Sequence, residues 1–214
     1  MALNNSYDEQ AVIQAIAAAL ETFYDTLIEK VDTLNIQKVM RRKNPYLYRA
    51  KAMKSAAEIV ESVLMAFVSS SEETVFGNCF FEPIAVAASG GNKALAEGID
   101  IMIHDKETNV ITAIAVKSGP AVFNADSKKR QEQNFVQASK LAQQAKARYE
   151  AYIGYCYGKK AESGRGKPRI YQELAGKKFW TELTGDEEFY TKIITYMGDM
   201  PEKYVSVYKE SYNK

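Results

Sequence analysis

Apolar residues first recur along this chain at steps of three and four. Val12, Ile16, Leu20, Phe23, Leu27 and Val31 make one stripe, which predicts a long helix from Tyr7 to about Leu34. Ser6, with Glu9 three positions on, predicts its capping box. Pro45 biases Asn44 away from helix, and a second helix is expected from Tyr46 to about Phe67, with Ala57, Ile59, Val60, Val63 and Leu64 inward. The stretch "SSSEETVFGNCFFEPIAVAAS" predicts a third helix. Ser70 or Ser71 would cap it, Glu72 and Glu73 would face its dipole, and Glu82 would lie near its far end.

After the turn "SGGN" the period changes to two. "IDIMIH" and "VITAIAVKS", joined by the polar "DKETN", predict a hairpin. "GPAVFNADS" reads as a loop, and Ser127 opens an amphipathic helix to about Tyr149 with Phe135, Ala138, Leu141 and Ala145 on one side. Strands "AYIGYCYG" and "RIYQELAG" follow, separated by the basic loop "KKAESGRGKP". A helical close breaks at Thr184-Gly185. This order predicts an α/β fold: a central mixed β-sheet flanked by helices, with an N-terminal helical extension. A single domain is expected over residues 1–214, its helical part at 1–68 and its core at 69–214.

Composition narrows the class without deciding it. At 46% hydrophobic and 26% charged, the chain is expected to be a globular protein with a substantial core. The first ten residues are polar and acidic, unlike a secretory signal. No uninterrupted apolar run approaches the ~18 residues of a membrane span, so no membrane association is expected. Cys79 and Cys156 form no disulfide framework, and a reduced, cytoplasmic protein is expected.

Charge is distributed unevenly beneath a net value of +1. From Thr33 to Ala57 there is no acid, but Lys38, Arg41, Arg42, Lys43, Arg49, Lys51 and Lys54 are present. Lys128, Lys129 and Arg130 make a second basic group, and Lys159, Lys160, Arg165, Lys167 and Arg169 a third. Such clusters are the electrostatic footprint of a polyanion.

The hairpin carries the candidate chemistry. Asp100 heads one strand and Lys117 ends its neighbour. Phosphodiester hydrolysis can be served by a divalent cation held by carboxylates on a rigid sheet. A lysine beside it can orient water and balance developing charge. The backbone carbonyl of Val116 is a further candidate oxygen ligand. His104, four residues along the strand from Asp100, lies roughly 13 Å away at strand rise and is an unsuitable general base. Neither a zinc-spaced Cys/His cluster nor a phosphate-binding glycine loop is present.

Taken with their surroundings, these residues resemble the PD-(D/E)XK nuclease superfamily, and within it the type II restriction endonucleases. "KNPYLYRAK", "SSSEETVFGNCFFEPIA", "EGID", "KSGPAVFNADS" and "GKKFWTELTGDEEFY" carry the resemblance, which covers most of the chain. It implies a restriction-endonuclease-like core and Mg2+-dependent cleavage of double-stranded DNA at a short palindrome by a homodimer. It places Asp100 at the metal-binding aspartate, Lys117 at the catalytic lysine, and Glu82 at the helix glutamate found ahead of the core in many members. The chain departs from the pattern at Ile99, where the name motif has proline, and at Ala115, where it has the second acid. Two acids could stand in for the latter: Glu82 from the preceding helix, which is favoured, or Glu132 from the helix after the lysine, which the neighbouring Lys128, Lys129 and Arg130 explain as a helical charge pair.

Base and phosphate contacts would fall to polar and basic positions outside the hairpin core. Candidates are Asn44, Arg49 and Lys51 in the first basic run, then Ser118, Asn124, Ser127, Lys128, Arg130 and Gln133 after the site, and Arg165 and Lys167 in the late loop. Two other classes fit the same residues: a nuclease fold that lost its acid at Ala115 and only holds DNA, and a structure-selective repair or mobile-element nuclease.

Overall fold

The computed structural model describes residues 6–90, 92–94, 96–160 and 170–212. They fall into two compact units. One comprises residues 1–19 and 77–198, the other residues 20–76 and 199–214.

The first unit is built on a five-stranded sheet in the order β1 (Asn92–Lys93), β2 (Ile101–Asp105), β3 (Val110–Lys117), β4 (Arg148–Tyr155), β5 (Gln172–Ala175). β1, β2 and β3 pair antiparallel; β3, β4 and β5 pair parallel. The mixed sheet and flanking helices are those the sequence predicts. Strand β1 lies where only a turn is expected from "SGGN".

Helix α6 (Ala125–Gln144) covers one face. Its Phe135 and Ala138 pack with Ala113, Ala115, Ala151, Ile153 and Tyr155 of the sheet. The other face carries α5 (Phe81–Ser89), against β2 and β3, and α7 (Lys177–Thr184), against β5. Gly154 shows why that face closes: a Cβ there would stand 2.1 Å from Phe179 Cε2, so only glycine admits the ring. With both faces covered, β3 is buried from Ala113 to Val116, which is why it reads as a continuous apolar run. Trp180 is fully buried and donates its indole N–H to the Cys156 carbonyl at 2.9 Å. Helix α8 (Phe189–Met197) completes the unit against α7.

The second unit is helical. It contains the later part of α1 (Glu9–Asp32), α2 (Ile36–Met40), α3 (Pro45–Ala50), most of α4 (Ala56–Cys79) and α9 (Glu202–Tyr212). Aromatic packing holds it: Phe23 meets Phe76 edge-on at 5.2 Å and Tyr24 stacks on Tyr204 at 5.1 Å.

Several boundaries differ from expectation. Helix α1 is capped by Asp8, whose Oδ1 accepts from Gln10 and Ala11 N–H at 2.9 and 3.1 Å, rather than by Ser6. An 18-residue window of α1 has a mean hydropathy of 1.3, enough for a membrane span by length and composition, which counting uninterrupted runs overlooks. Its stripe is nevertheless internal, with Val12, Ile16, Leu20 and Leu27 all buried. The expected helix from Tyr46 to Phe67 is two helices, broken where Ala52 takes φ 58°. Helix α4 then continues through Ser70 and Ser71, so the sequence-predicted cap there does not form. Glu82 consequently sits in the first turn of a new short helix, α5, instead of near the end of an old one. Helix α6 begins at Ala125, capped by the reciprocal Asn124–Ser127 box, and stops at Gln144. Lys146 at φ 55° turns the chain, and β4 starts at Arg148, ahead of the predicted "AYIGYCYG".

Candidate active site

Local rules explain how the hairpin presents Asp100. Gly98 adopts φ +69°, a left-handed conformation that favours glycine, and the Asn134 side chain fills the space a Cβ would need. The buried Gln131 of α6 donates from Nε2 to the Gly98 carbonyl at 2.7 Å and holds the turn. Asp100 then enters the ladder through its own N–H, which donates to the Ile114 carbonyl at 2.9 Å.

Asp100 and Lys117 converge. Asp100 Oδ2 accepts from the Val116 N–H at 2.6 Å and from Lys117 Nζ at 3.3 Å. Lys117 Nζ also donates to the Val116 carbonyl at 2.9 Å. Both side chains are largely buried, 18% exposed for Asp100 and 26% for Lys117. One carboxylate, one ammonium and one backbone carbonyl therefore meet at the end of β3. Glu82 faces the same region: with Gly77, Asn78, Phe81, Val116, Lys117, Ser118 and Val122 it lines a cleft of about 220 Å³. Its carboxylate pairs with Lys93 Nζ of β1 at 3.0 Å, and that bond and its charge, with a smaller contribution from Asp100, hold the ammonium protonated above its ordinary range.

Ala115 is fully buried and belongs to the cluster under α6 with Phe135 and Ala138. Glu132 is placed apart from the cleft. It accepts from the Tyr171 hydroxyl at 3.2 Å and lines a groove along α6 with Lys129, Gln133, Val136, Gln137 and Lys140. Among the described residues, no three His, Cys, Asp or Glu side chains stand together as a metal-binding group. The oxygens at hand are the carboxylates of Asp100 and Glu82 and the Val116 carbonyl. That hard, sparse donor set suits a cation that keeps most of its waters, as Mg2+ does.

The remaining candidates divide by surroundings. Ser118 lines the cleft, its Oγ 3.3 Å from where a Cβ on Gly77 would stand. Asn124 and Ser127 spend their side chains on capping α6. Lys128 reaches Glu173 of β5 at 3.5 Å, and Arg130 pairs with Glu97. In the second unit, Asn44 caps α3 by accepting from the Tyr46 N–H at 3.0 Å, Lys51 bonds Ser62 at 3.2 Å, and Arg49 is exposed. Arg165 and Lys167 lie outside the described residues. His104 is exposed at the far end of β2, 3.3 Å from Asn109 Oδ1.

Sequence reasoning missed Lys93, Gln131 and Glu173. Lys93 belongs to a strand of two residues, too short for any periodic signal. Gln131 is a polar residue at a helical core step, between Ser127 and Phe135, and that misplacement was its available signal.

A family profile described as "Type II restriction endonuclease EcoO109I" matches residues 10–204. No curated protein matches the sequence.

Proposed function

Because this chain belongs to the EcoO109I family of type II restriction endonucleases, within the PD-(D/E)XK superfamily, we propose that it cuts a short palindromic DNA sequence as a Mg2+-dependent homodimer. The family gives the general activity, cleavage of DNA. The specific reading rests above all on the convergence of the Asp100 carboxylate, the Lys117 ammonium and the Val116 carbonyl at one strand end.

Asp100, Glu82 and the Val116 carbonyl would hold the cation. When bound, it polarises the scissile phosphate and lowers the pKa of a water. Asp100 is held ready by the Val116 N–H, so its carboxylate needs no reorganisation at the moment of reaction. Lys117 already donates in two directions within the site. An ammonium has three donors, so it can also orient the attacking water and balance charge growing on the phosphate. Glu82 supplies from a helix the second acid that Ala115 lacks. A two-fold dimer suits a palindrome because each protomer reads one half-site. The free Cys79 and Cys156 are consistent with action on DNA in the cytoplasm.

The test is incubation of purified protein with a sequenced phage DNA, with Mg2+ and with chelator, beside Lys117→Ala. Discrete fragments that need Mg2+ and vanish in the variant are expected, and their ends give the recognition sequence. Uncut DNA alongside a retained gel shift would mean that the buried Ala115 marks a lost site and the chain is a binder.

A further inference from the structure

Around Glu173, on the α6 side of the sheet, lies a charged cluster to which the cleavage chemistry above assigns no role. The Glu173 side chain is only 7% exposed. Its Oε1 accepts from the Tyr155 hydroxyl at 2.8 Å and lies 3.5 Å from Lys128 Nζ and 3.4 Å from Lys160 Nζ. Lys160 Nζ also stands 4.9 Å from the centroid of the Tyr155 ring, a cation–π arrangement. These groups come from three elements: Lys128 from the first turns of α6, Tyr155 and Lys160 from the end of β4 and just after it, and Glu173 from β5. Tyr155 pairs in register with Lys117. The cluster therefore lies one strand from the candidate active site, near the carboxyl ends of the parallel strands, where open α/β sheets take their ligands.

Charge and exposure decide what it can do. One lysine suffices to compensate a buried carboxylate, yet at least two face this one. Burial alone would raise the Glu173 carboxyl, but the Tyr155 hydroxyl and the two ammonium groups outweigh it and hold it below the usual range. The acid stays ionised, and the lysines carry the excess positive charge. Their side chains are 31% and 29% exposed, so the carboxylate is enclosed while the lysines that hold it remain partly open to solvent. Each ammonium has three donors and spends one on Glu173. Glu132, one turn beyond Lys128 on α6, takes the Tyr171 hydroxyl. A buried anion that holds two partly exposed cations at neighbouring points keeps them in a fixed arrangement, unlike a mobile pair of surface charges, and a fixed arrangement lowers the ordering cost of binding an anion.

We propose that Lys128 and Lys160, tethered by Glu173, form a subsite for a backbone phosphate of the DNA, beside the scissile one. Here Glu173 is a positioning residue, touching no substrate itself. The inference rests on this chain binding DNA, and the experiment separates the two.

The measurement is the affinity of the full chain for a labelled 30-base-pair duplex in chelator, from 50 to 200 mM KCl. Each phosphate contact contributes about 0.9 to the slope of log K against log salt. Loss of this one contact, by Lys128→Gln or by Lys160→Gln, should lower the slope by up to about that much, so the affinity lost over this range shrinks by up to roughly 3.5-fold in either variant and no further when the two are combined. Lys106→Gln, in the turn at the other end of the β2–β3 hairpin, should leave the slope unchanged. Thermal melts confirm that the variants are folded, and Lys128→Arg should restore the slope should Lys128→Gln melt early. A steep wild-type slope unchanged in both variants would overturn the subsite and leave Glu173 a structural anchor. An equal fall in Lys106→Gln would overturn it too, because the slope would then follow total charge. No salt-dependent binding by the wild type would instead remove the DNA-binding premise.

Discussion

Ala115 stands two residues before Lys117, where the superfamily pattern carries an acid, and Ala115→Glu would restore that pattern. The structure predicts that it will not restore a site. Ala115 is fully buried in the cluster of Ile99, Ala113, Phe135, Ala138 and Ile153. One step beyond the β2–β3 pairing of Ile101 with Ile114, it also stands opposite Asp100. A glutamate there must displace core atoms, at about 1–3 kcal/mol for an overpacked interior. It must also lose its hydration. That cost is limited because the carboxyl can protonate instead: moving from an ordinary value near 4.3 to neutral at pH 7 costs about 4 kcal/mol, and at pH 5 only about 1 kcal/mol. The folded-state pKa is raised, so the penalty grows as pH rises above the unfolded value. Together these come to roughly 5–7 kcal/mol at pH 7, comparable to the whole stability of many domains. At about 2–4 °C per kcal/mol for a chain of this size, the melting temperature should fall by about 10–28 °C at pH 7 and clearly less at pH 5. Thermal melts of the variant and the wild type at both values, with and without Mg2+, read this directly. A variant that melts within about 3 °C of wild type at pH 7, and is further stabilised by Mg2+, would show that residue 115 is not locked in the core. Position 115 would then open to the cleft and packing would not be the reason an acid is missing there.

Other outcomes follow from single contacts. Gly154→Ala places a Cβ 2.1 Å from Phe179 Cε2 and should cost about 1–3 kcal/mol in chemical denaturation; an unchanged midpoint would mean that α7 does not close on that strand as described. Glu173 has a folded pKa held below its unfolded one, so its contribution is present above the unfolded value, about 4.3, and is lost as pH falls through the folded value. Glu173→Gln should therefore flatten the loss of stability in acid, seen in urea melts from pH 6 to pH 3, and a curve parallel to wild type would count against the depressed pKa. Asp100→Asn and Glu82→Ala should each reduce cleavage at least about 100-fold, the scale seen when a transition-state stabiliser is removed, while DNA still shifts in a gel. If Glu82→Ala cuts at the wild-type rate, Glu82 is not the displaced acid.

The hairpin was legible because its determinants are local. Alternation fixes which strand residues share a face, and "DKETN" fixes the turn, so the sequence alone sets Asp100 and Lys117 at the same end of the hairpin. The helical boundaries were not, because the same local signal has two outcomes. Ser55 with Glu58 and Ser70 with Glu73 both read as serine followed three residues later by glutamate. The first opens α4, with Ser55 Oγ accepting from the Glu58 N–H at 3.2 Å. The second lies within α4, where Val63, Val68, Ser71 and Val75 are buried and carry the helix through. Burial, not capping chemistry, chose between them. Lys93 and Glu173 were illegible for another reason. Their partners stand eleven residues or more away in sequence, Glu82 for one and Lys128, Tyr155 and Lys160 for the other, and no spacing rule connects them.

The position of the α4–α5 boundary gives Glu82 a local reason to be acidic. Near the end of a long helix, an acid would oppose the dipole and would need a separate reason to be there. In the first turn of α5 it is stabilised by the dipole whatever else it does. Its presence is thus explained without a metal, and the case for the proposed role passes to its location, on the same cleft as Lys117 and the Val116 carbonyl. If Glu82 fills the proposed role, its location would also account for Ala115. A carboxylate supplied from α5 on one side of the sheet would leave residue 115 free to pack, as it does, with Phe135 on the other, where the strand has a small apolar residue in its buried core. The two positions should then be unequal. Glu82→Ala combined with Ala115→Glu should remain as inactive as Glu82→Ala alone, since the added acid is caught in the core. Recovery of Mg2+-dependent cleavage in the double variant would show that either side of the sheet can supply the second acid, and that the separation of roles between the two faces is not a requirement of this fold.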